Sequence, residues 1–383
     1  MAQYTIIATA AMGLEALVAK EVRNLGYDCT VDNGKVTFKG DEKAIARANM
    51  WLRTADRIKI QVAQFKAYTF DELFEKTKAI PWEKYIPENG EFPVAGKSHK
   101  SKLFSVSDCQ AIVKKAIVER MKRAYNRIAR FEENGPLFKL EVALLKDVAT
   151  ITLDTSGVGL HKRGYRVDQG EAPLKETMAA ALVMLTNWHP DRPFVDPFCG
   201  SGTLPIEAAM IGQNIAPGFN RDFVSETWPW MPASIWDEVR DEAEEKANYD
   251  QPLNITGCDI DHRMVEIAKK NSIEAGFGDL ITFKQMQVKD FTVNEKYEPY
   301  GVIVGNPPYG ERLGEKATVE KMYADMGYAF SPYETWSVYM LTSNENFEQC
   351  YGKPATKKRK LFNGFIRTDF YQYWGKRPPR KQE

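Results

Sequence analysis

The run FVDPFCGSGTLPIEAAMIG (residues 194–212) decides the fold class. It joins a short apolar strand (194–196) to a glycine turn, and the turn opens an apolar helix (203–212). Gly200 and Gly202 let the backbone bend sharply and approach a ligand closely, because neither carries a Cβ. The loop has no Gly-Lys-Ser/Thr ending and is not Gly-x-Gly-x-x-Gly, so neither a phosphate-binding P-loop nor a plain dinucleotide fingerprint fits it.

Downstream, strands at 255–259, 281–285, 300–305 and 336–341 alternate with helices at 261–275 and 319–330. Such alternation predicts an α/β, Rossmann-like, doubly wound parallel sheet. An acidic insertion at 214–250, with Trp228, Trp230 and Trp236, interrupts it and reads as local core or a lid. Upstream the pattern differs. A strand at 4–9 precedes a helix at 13–25, in which Leu14, Leu17, Val18, Val22 and Leu25 recur at helical spacing and Gly26 supplies the stop. Strands at 29–31 and 35–38 follow, joined at Asn33-Gly34, then a helix at 41–52 and an apolar run at 57–65. This predicts a ferredoxin-like α+β module over 1–65. A second module over 66–155 has helices at 69–79 and 107–123 and strands at 91–95, 138–144 and 148–154, the last two turning at Lys146-Asp147. Residues 156–172 are rich in Gly and charge and read as a linker, which leaves 173–383 as the catalytic domain.

The chain has 383 residues, with 52 Lys plus Arg against 52 Asp plus Glu. Hydrophobic content of 43% and charged content of 27% exclude disorder as the main theme and suit two or three domains. No run reaches the ~18 apolar residues of a membrane-spanning helix, and no basic leader precedes the first apolar stretch, so a cytoplasmic protein without a membrane partner is expected. Five scattered cysteines and four scattered histidines offer neither a disulfide framework nor a metal site. The zero net charge hides a pattern. Residues 91–130 hold ten basic against three acidic side chains and residues 353–383 ten against two, while residues 220–250 hold three against nine. Both basic segments are interleaved with aromatics (Phe104, Tyr125 and Phe131; Phe362, Phe365, Phe370, Tyr371, Tyr373 and Trp374), a composition that points to nucleic acid.

Two further stretches carry chemistry. The strand at 255–259 ends in Asp259, where a carboxylate accepts hydrogen bonds from the two ribose hydroxyls of an adenosine; Asp261 caps the next helix. Its distance in sequence from the glycine loop exceeds the usual ~20 residues because the insertion intervenes. The strand at 300–305 runs into Asn306-Pro307-Pro308-Tyr309-Gly310, again at the carboxyl edge. Consecutive prolines fix the backbone and leave carbonyls outside the ladder. The Asn306 side-chain oxygen and the Pro307 carbonyl then form an acceptor pair for both protons of an exocyclic amino group, with Tyr309 placed to stack on a base drawn out of its helix.

These residues give the chain its resemblance to class I S-adenosylmethionine-dependent methyltransferases acting on base amino groups. Asn306-Pro307-Pro308-Tyr309 matches that family's signature, and its continuation Gly310-Glu311-Arg312-Leu313-Gly314 is similar to bacterial 23S rRNA guanine-N2 methyltransferases. The front of the chain resembles the ferredoxin-like and THUMP modules of RNA-modifying enzymes. Residues Arg163-Gly164-Tyr165-Arg166 and 172–181 resemble the helix that precedes the first sheet strand. The aromatic strand at 368–374 resembles the family's closing hairpin, its Asn363-Gly364 reading as the turn. The resemblance implies S-adenosylmethionine as cofactor, held by Thr177, Asp196, Pro197, Phe198, Cys199, Gly200, Ser201, Gly202, Thr203, Asp259, Ile260 and Asn306. It also implies an acid near the adenine amino group. Gln287 and Asp290 both fall in range; Asp290, with Phe291 against the ring, is the expected choice.

The expected reaction is direct in-line methyl transfer to guanine N2 in RNA, with Asn306, Pro307, Pro308 and Tyr309 as the catalytic set and Cys199 not a nucleophile. Alternatives are adenine N6 methylation of RNA or DNA, guanine-N2 methylation of tRNA, and a non-catalytic RNA-binding assembly factor. A dinucleotide-dependent oxidoreductase gives Asn-Pro-Pro-Tyr no role.

Overall fold

The computed structural model describes residues 3–168, 174–293, 299–310 and 315–377, and the chain forms two compact units. The first gathers residues 1–10, 18–160 and 221–242; the second gathers 11–17, 161–220 and 243–383.

The first unit is built on one seven-stranded sheet. Its elements are β1 (Tyr4–Ala10), α1 (Glu15–Asn24), β2 (Cys29–Asp32), β3 (Lys35–Gly40), α2 (Glu42–Trp51), β4 (Ala55–Lys66), α3 (Phe70–Lys78), β5 (Val94–His99), α4 (Val106–Ala124), β6 (Leu140–Leu145) and β7 (Val148–Asp154). The strand order is β2-β3-β1-β4-β7-β6-β5. The two modules expected at 1–65 and 66–155 therefore share a sheet. The 12-residue β4 pairs with β1 through its first half and with β7 from Lys59 to Lys66. Lys146 and Asp147 both take positive φ, as a tight hairpin turn requires. One expected strand moves: Glu91 makes only an isolated bridge with Leu137, and β5 starts beyond Pro93, which has no N–H to donate to a ladder.

The second unit contains α5 (Glu176–Met184), β8 (Phe194–Asp196) and α6 (Thr203–Gly212). The insertion follows and carries α7 (Ala233–Lys246). Then come β9 (Ile255–Asp259), α8 (His262–Glu274), β10 (Ile281–Gln285), β11 (Val302–Gly305), α9 (Lys316–Phe330), β12 (Ser337–Thr342), α10 (Phe347–Tyr351), β13 (Lys357–Asn363) and β14 (Ile366–Tyr373). The sheet order is β10-β9-β8-β11-β12-β14-β13, parallel as far as β12 and closed by an antiparallel hairpin. The order reverses between β8 and β11, the crevice where open α/β sheets bind ligands.

Residues 221–242 of the insertion are core of the first unit, not a lid. Trp228 is buried, stacks on Phe138 at 5.0 Å and donates to the Leu137 carbonyl at 2.9 Å. Trp230 stacks on Tyr4 at 5.6 Å and donates to the Tyr85 carbonyl. Much of the segment's acidity is matched locally, Glu238 by Lys43 and Glu242 by Arg47, each at 2.9 Å. The 156–172 stretch is likewise structural where described. Ser156 is buried and donates to Asn49, while Arg163 and Tyr165 are buried against Glu207 in the second unit. Its polar composition disguised burial, because every side chain named here finds a partner. Residues 169–172 lie outside the described residues.

Candidate active site

The switch point of the second sheet opens into a cleft of about 840 Å³. Pro197 and Phe198 reach it from β8, Asp259 and Ile260 from β9, and Asn306, Pro307, Pro308 and Tyr309 from β11. The sheet thus brings together, from three strand ends, the proposed acceptor pair, the ribose-type acid and the edge of the glycine loop.

The loop is held from behind. Gly200 and Gly202 take φ of +51° and +84°. A Cβ on Gly202 would meet Ala268 at 3.0 Å and the Phe283 ring at 3.2 Å, so glycine is required there for space as well as for backbone angle. The Cys199 N–H donates to the Cys258 carbonyl at 2.7 Å and the Gly200 N–H to Asp259 Oδ2 at 3.0 Å. Asp259 Oδ1 accepts from the Asp261 N–H at 2.9 Å. Each carboxylate oxygen has a second lone pair, which leaves capacity for two hydroxyls. Asp261 also caps α8 through the Arg263 N–H.

Several of the residues expected to hold the cofactor are themselves braced from behind. Ser201 and Thr203 are buried, and their hydroxyls accept from the Arg166 guanidinium at 2.7 and 2.8 Å, while Arg166 Nε donates to Glu176 at 2.8 Å. Asn271, fully buried on α8, donates to the Ser201 carbonyl at 2.9 Å. Arg166 and Asn271 had no assigned role in the sequence; a buried Asn on a helix's apolar face was the available signal. Thr177, Asp196, Cys199, Gly200 and Gly202 are not among the residues lining the cleft. Burial raises the Asp196 carboxyl well above the usual carboxylate range; a hydrogen bond from the Phe198 N–H offsets part of this, and the charge of Asp259 adds to it. Burial, reinforced by Asp196 and Asp259, raises the Cys199 thiol too, and Cys258 is pushed up to about 12. Thiols so protonated are poor nucleophiles.

The third strand end places the two candidate residues differently. Gln287 and Asp290 are both exposed; Gln287 lines the cleft, and Asp290 ends a 3-10 turn (Val288–Asp290) beside it. Phe291 turns inward against Phe330 at 5.0 Å and Tyr333 at 5.6 Å, because an aromatic cluster is available to bury it.

The Asn-Pro-Pro-Tyr segment is tightly braced. Tyr323 donates to the Pro308 carbonyl at 2.7 Å and Asn344 to the Tyr309 carbonyl at 3.5 Å; the Pro307 carbonyl has no hydrogen-bond donor among the described residues. The Asn306 side-chain oxygen is already engaged, accepting from the Tyr309 hydroxyl at 2.6 Å. That hydroxyl in turn accepts from Asn363 Nδ2 at 3.3 Å. That oxygen keeps a second lone pair, so a substrate amine would share the acceptor with the Tyr309 hydroxyl. The continuation 311–314 lies outside the described residues.

The sheet order, with a glycine loop and the Asn-Pro-Pro-Tyr segment at its switch point, defines a class I methyltransferase fold. Residues 163–372 match the family described as RMKL-like, methyltransferase domain, residues 5–59 the RlmL ferredoxin-like domain, and residues 67–154 the THUMP domain. The chain belongs to the RMKL-like methyltransferase family and is a methyltransferase of the RlmL type acting on nucleic acid. It is 72% identical to a Bacillus subtilis (strain 168) protein named "Putative RNA methyltransferase YpsC", over all of this chain and 99% of that one. A Listeria monocytogenes structure titled as a "predicted N6-adenine-specific DNA methylase" is 66% identical, with a TM-score of 0.94 over 98% of this chain and 97% of that one. The structure of SMU.472, complexed with SAH, is 52% identical, with a TM-score of 0.94 over 99% of this chain and the whole of the other. TrmN from Thermus thermophilus shares the fold at 19% identity and a TM-score of 0.69.

Proposed function

We propose that the protein transfers a methyl group from S-adenosylmethionine to the exocyclic N2 of a guanine in 23S rRNA. The observation that supports this reading is that Asn306, Pro307 and Tyr309 line one cleft with Asp259 and with Pro197 and Phe198 at the edge of the glycine loop. When bound, S-adenosylmethionine supplies an activated methyl group on its sulfonium. Asp259 would hold its ribose, with Gln287, Pro197 and Phe198 around it. The chain's own contribution is alignment: Asn306 and the Pro307 carbonyl accept the two amine protons and so fix the direction of the nitrogen lone pair. Tyr309, once released, covers the base. The gain is chiefly one of proximity and orientation. RNA is favoured by the THUMP domain and by exposed cations of the first unit; Lys100, Lys102, Lys115 and Arg130 form no salt bridge among the described residues.

A second reading, adenine N6, draws on the Listeria title and on the indifference of the acceptor pair to which base carries the amine. Mass spectrometry of nucleosides from 23S rRNA treated with the protein and labelled cofactor separates the two. Label in N2-methylguanosine is expected; label in N6-methyladenosine sinks the guanine assignment. Asn306→Ala is expected to abolish transfer while leaving RNA affinity within about threefold, since its loss removes one uncharged contact.

A further inference from the structure

The hairpin of β13 and β14 ends in the most exposed large apolar side chain among the described residues. Phe365 is 105% exposed. The register pairs Asn363 with Ile366, so the loop is Gly364-Phe365, one residue later than the Asn-Gly turn read from the sequence. Gly364 takes the positive φ, +64°, that the turn needs and leaves the Phe365 ring at the tip. The residues on either side of that tip, Asn363 and Ile366, both line the catalytic cleft, and Asn363 donates to Tyr309. The arm is stiff, with β13 paired to β14 at seven positions and β14 paired to β12 at five. Lys357, Lys358, Lys360 and Arg367 lie along it; Lys358 pairs with Glu348 at 2.6 Å and Arg367 with Asp369 at 4.0 Å.

A lone exposed apolar residue is ordinary on a protein surface. Place and chemistry separate Phe365 from that background. A base whose amino group is to be methylated has to leave its stack, and the gap it leaves must be filled or it closes again. Nucleic-acid proteins that open base steps do so with apolar wedges, and cations beside them follow the phosphates. Here an exposed aromatic ring stands on a paired, basic arm at the rim of the catalytic cleft. Of the other aromatics of the same segment, Phe370, Tyr371 and Tyr373 are buried, Phe362 is half-buried, and Trp374, 50% exposed, lies at the far end of β14 from the tip.

We infer that Phe365 is a wedge that enters the RNA base stack and occupies the position vacated by the target nucleotide. The partner is RNA in which the target base is stacked, and the inference rests on the base-methylation reading above. Asn363 links the same turn to Tyr309, so seating of the wedge and release of Asn306 are joined through one side chain.

The test uses the full-length protein, labelled S-adenosylmethionine and 23S rRNA purified from cells in which the gene for this protein is deleted. Single-turnover methylation by wild type, Phe365→Ala and Phe365→Trp is compared, with thermal unfolding and S-adenosylhomocysteine affinity as controls. Phe365→Ala is expected to slow methylation about tenfold or more, the effect of losing one aromatic stacking partner. Phe365→Trp is expected to stay within about threefold of wild type, and neither control moves. Full activity of Phe365→Ala overturns the wedge, and so does a Phe365→Trp variant as slow as the alanine. Absence of label with the wild type overturns the methylation reading and the wedge with it.

Discussion

At the residue scale the site guards itself. The Tyr309 hydroxyl takes one of the two lone pairs of Asn306 Oδ1 through a 2.6 Å hydrogen bond, so it competes with a substrate amine for that oxygen. A neutral hydrogen bond contributes about 0.5–1.5 kcal/mol net. Tyr309→Phe keeps the ring and frees Asn306, and it is expected to leave kcat within a few-fold while lowering KM for RNA up to about tenfold. Tyr309→Ala loses the ring and is expected to cost about 1–3 kcal/mol, or roughly 5- to 150-fold in kcat/KM. Equal collapse of both variants in steady-state methylation would show that the hydroxyl itself is needed. The tetrapeptide and Asp259 were legible in the sequence because consecutive residues dictate their own backbone. The link from Asn363 to Tyr309 was not, since it spans 54 positions and depends on a hairpin register.

At the scale of elements, β8 delivers a buried carboxyl to the start of the glycine loop. Asp196 closes the strand with a buried carboxyl whose affinity for a proton is raised in the folded state above the ordinary 3.8. The folded chain therefore holds this proton more tightly than the unfolded one. The associated stability is fully present below the ordinary carboxylate pKa and is lost as pH rises toward the raised value. Asp196→Asn keeps an acceptor for the Phe198 N–H and removes the titration. Its melting temperature at pH 7–8 is expected to exceed that of wild type, with the difference shrinking as pH falls toward ~4. A gap that widens in acid would contradict the assignment. Most strands and helices were readable from period and punctuation. Those missed were α7, whose short stripe of Trp236, Val239 and Ala243 is set among eight charged residues, and the five-residue α10, too short to show a period. The shift of β5 past Pro93 belongs to backbone chemistry that a composition window averages away.

At the scale of the whole molecule, the sequence suggested modules in series and the structure shows units woven through one another in sequence. β4 serves two expected modules, and residues 221–242 leave the methyltransferase stretch to complete the first unit. Nothing local announces this, because a Trp-rich insertion packs equally well at home or away. Trp228→Ala removes a ring stacked on Phe138 and is expected to destabilise the first unit by about 3–5 kcal/mol. Hydrogen exchange should then quicken across β6 and β7 and stay unchanged across β9 and β11; uniform acceleration would place Trp228 elsewhere in the energetics. The charge balance also changes meaning, since Lys43 and Arg47 absorb Glu238 and Glu242.

The same weave sets a timetable for synthesis. A ribosome that has released residue 160 has made every strand of the first sheet, yet Phe138 and Tyr4 still lack their tryptophan partners. The roughly 60 residues made next belong to the other unit, a delay of about 3–12 s at ordinary elongation rates. Throughout that interval the nascent first unit exposes an apolar seam, which gives trigger-type chaperones their window and makes any chain stopped near 160 a candidate for aggregation rather than a minimal RNA-binding fragment.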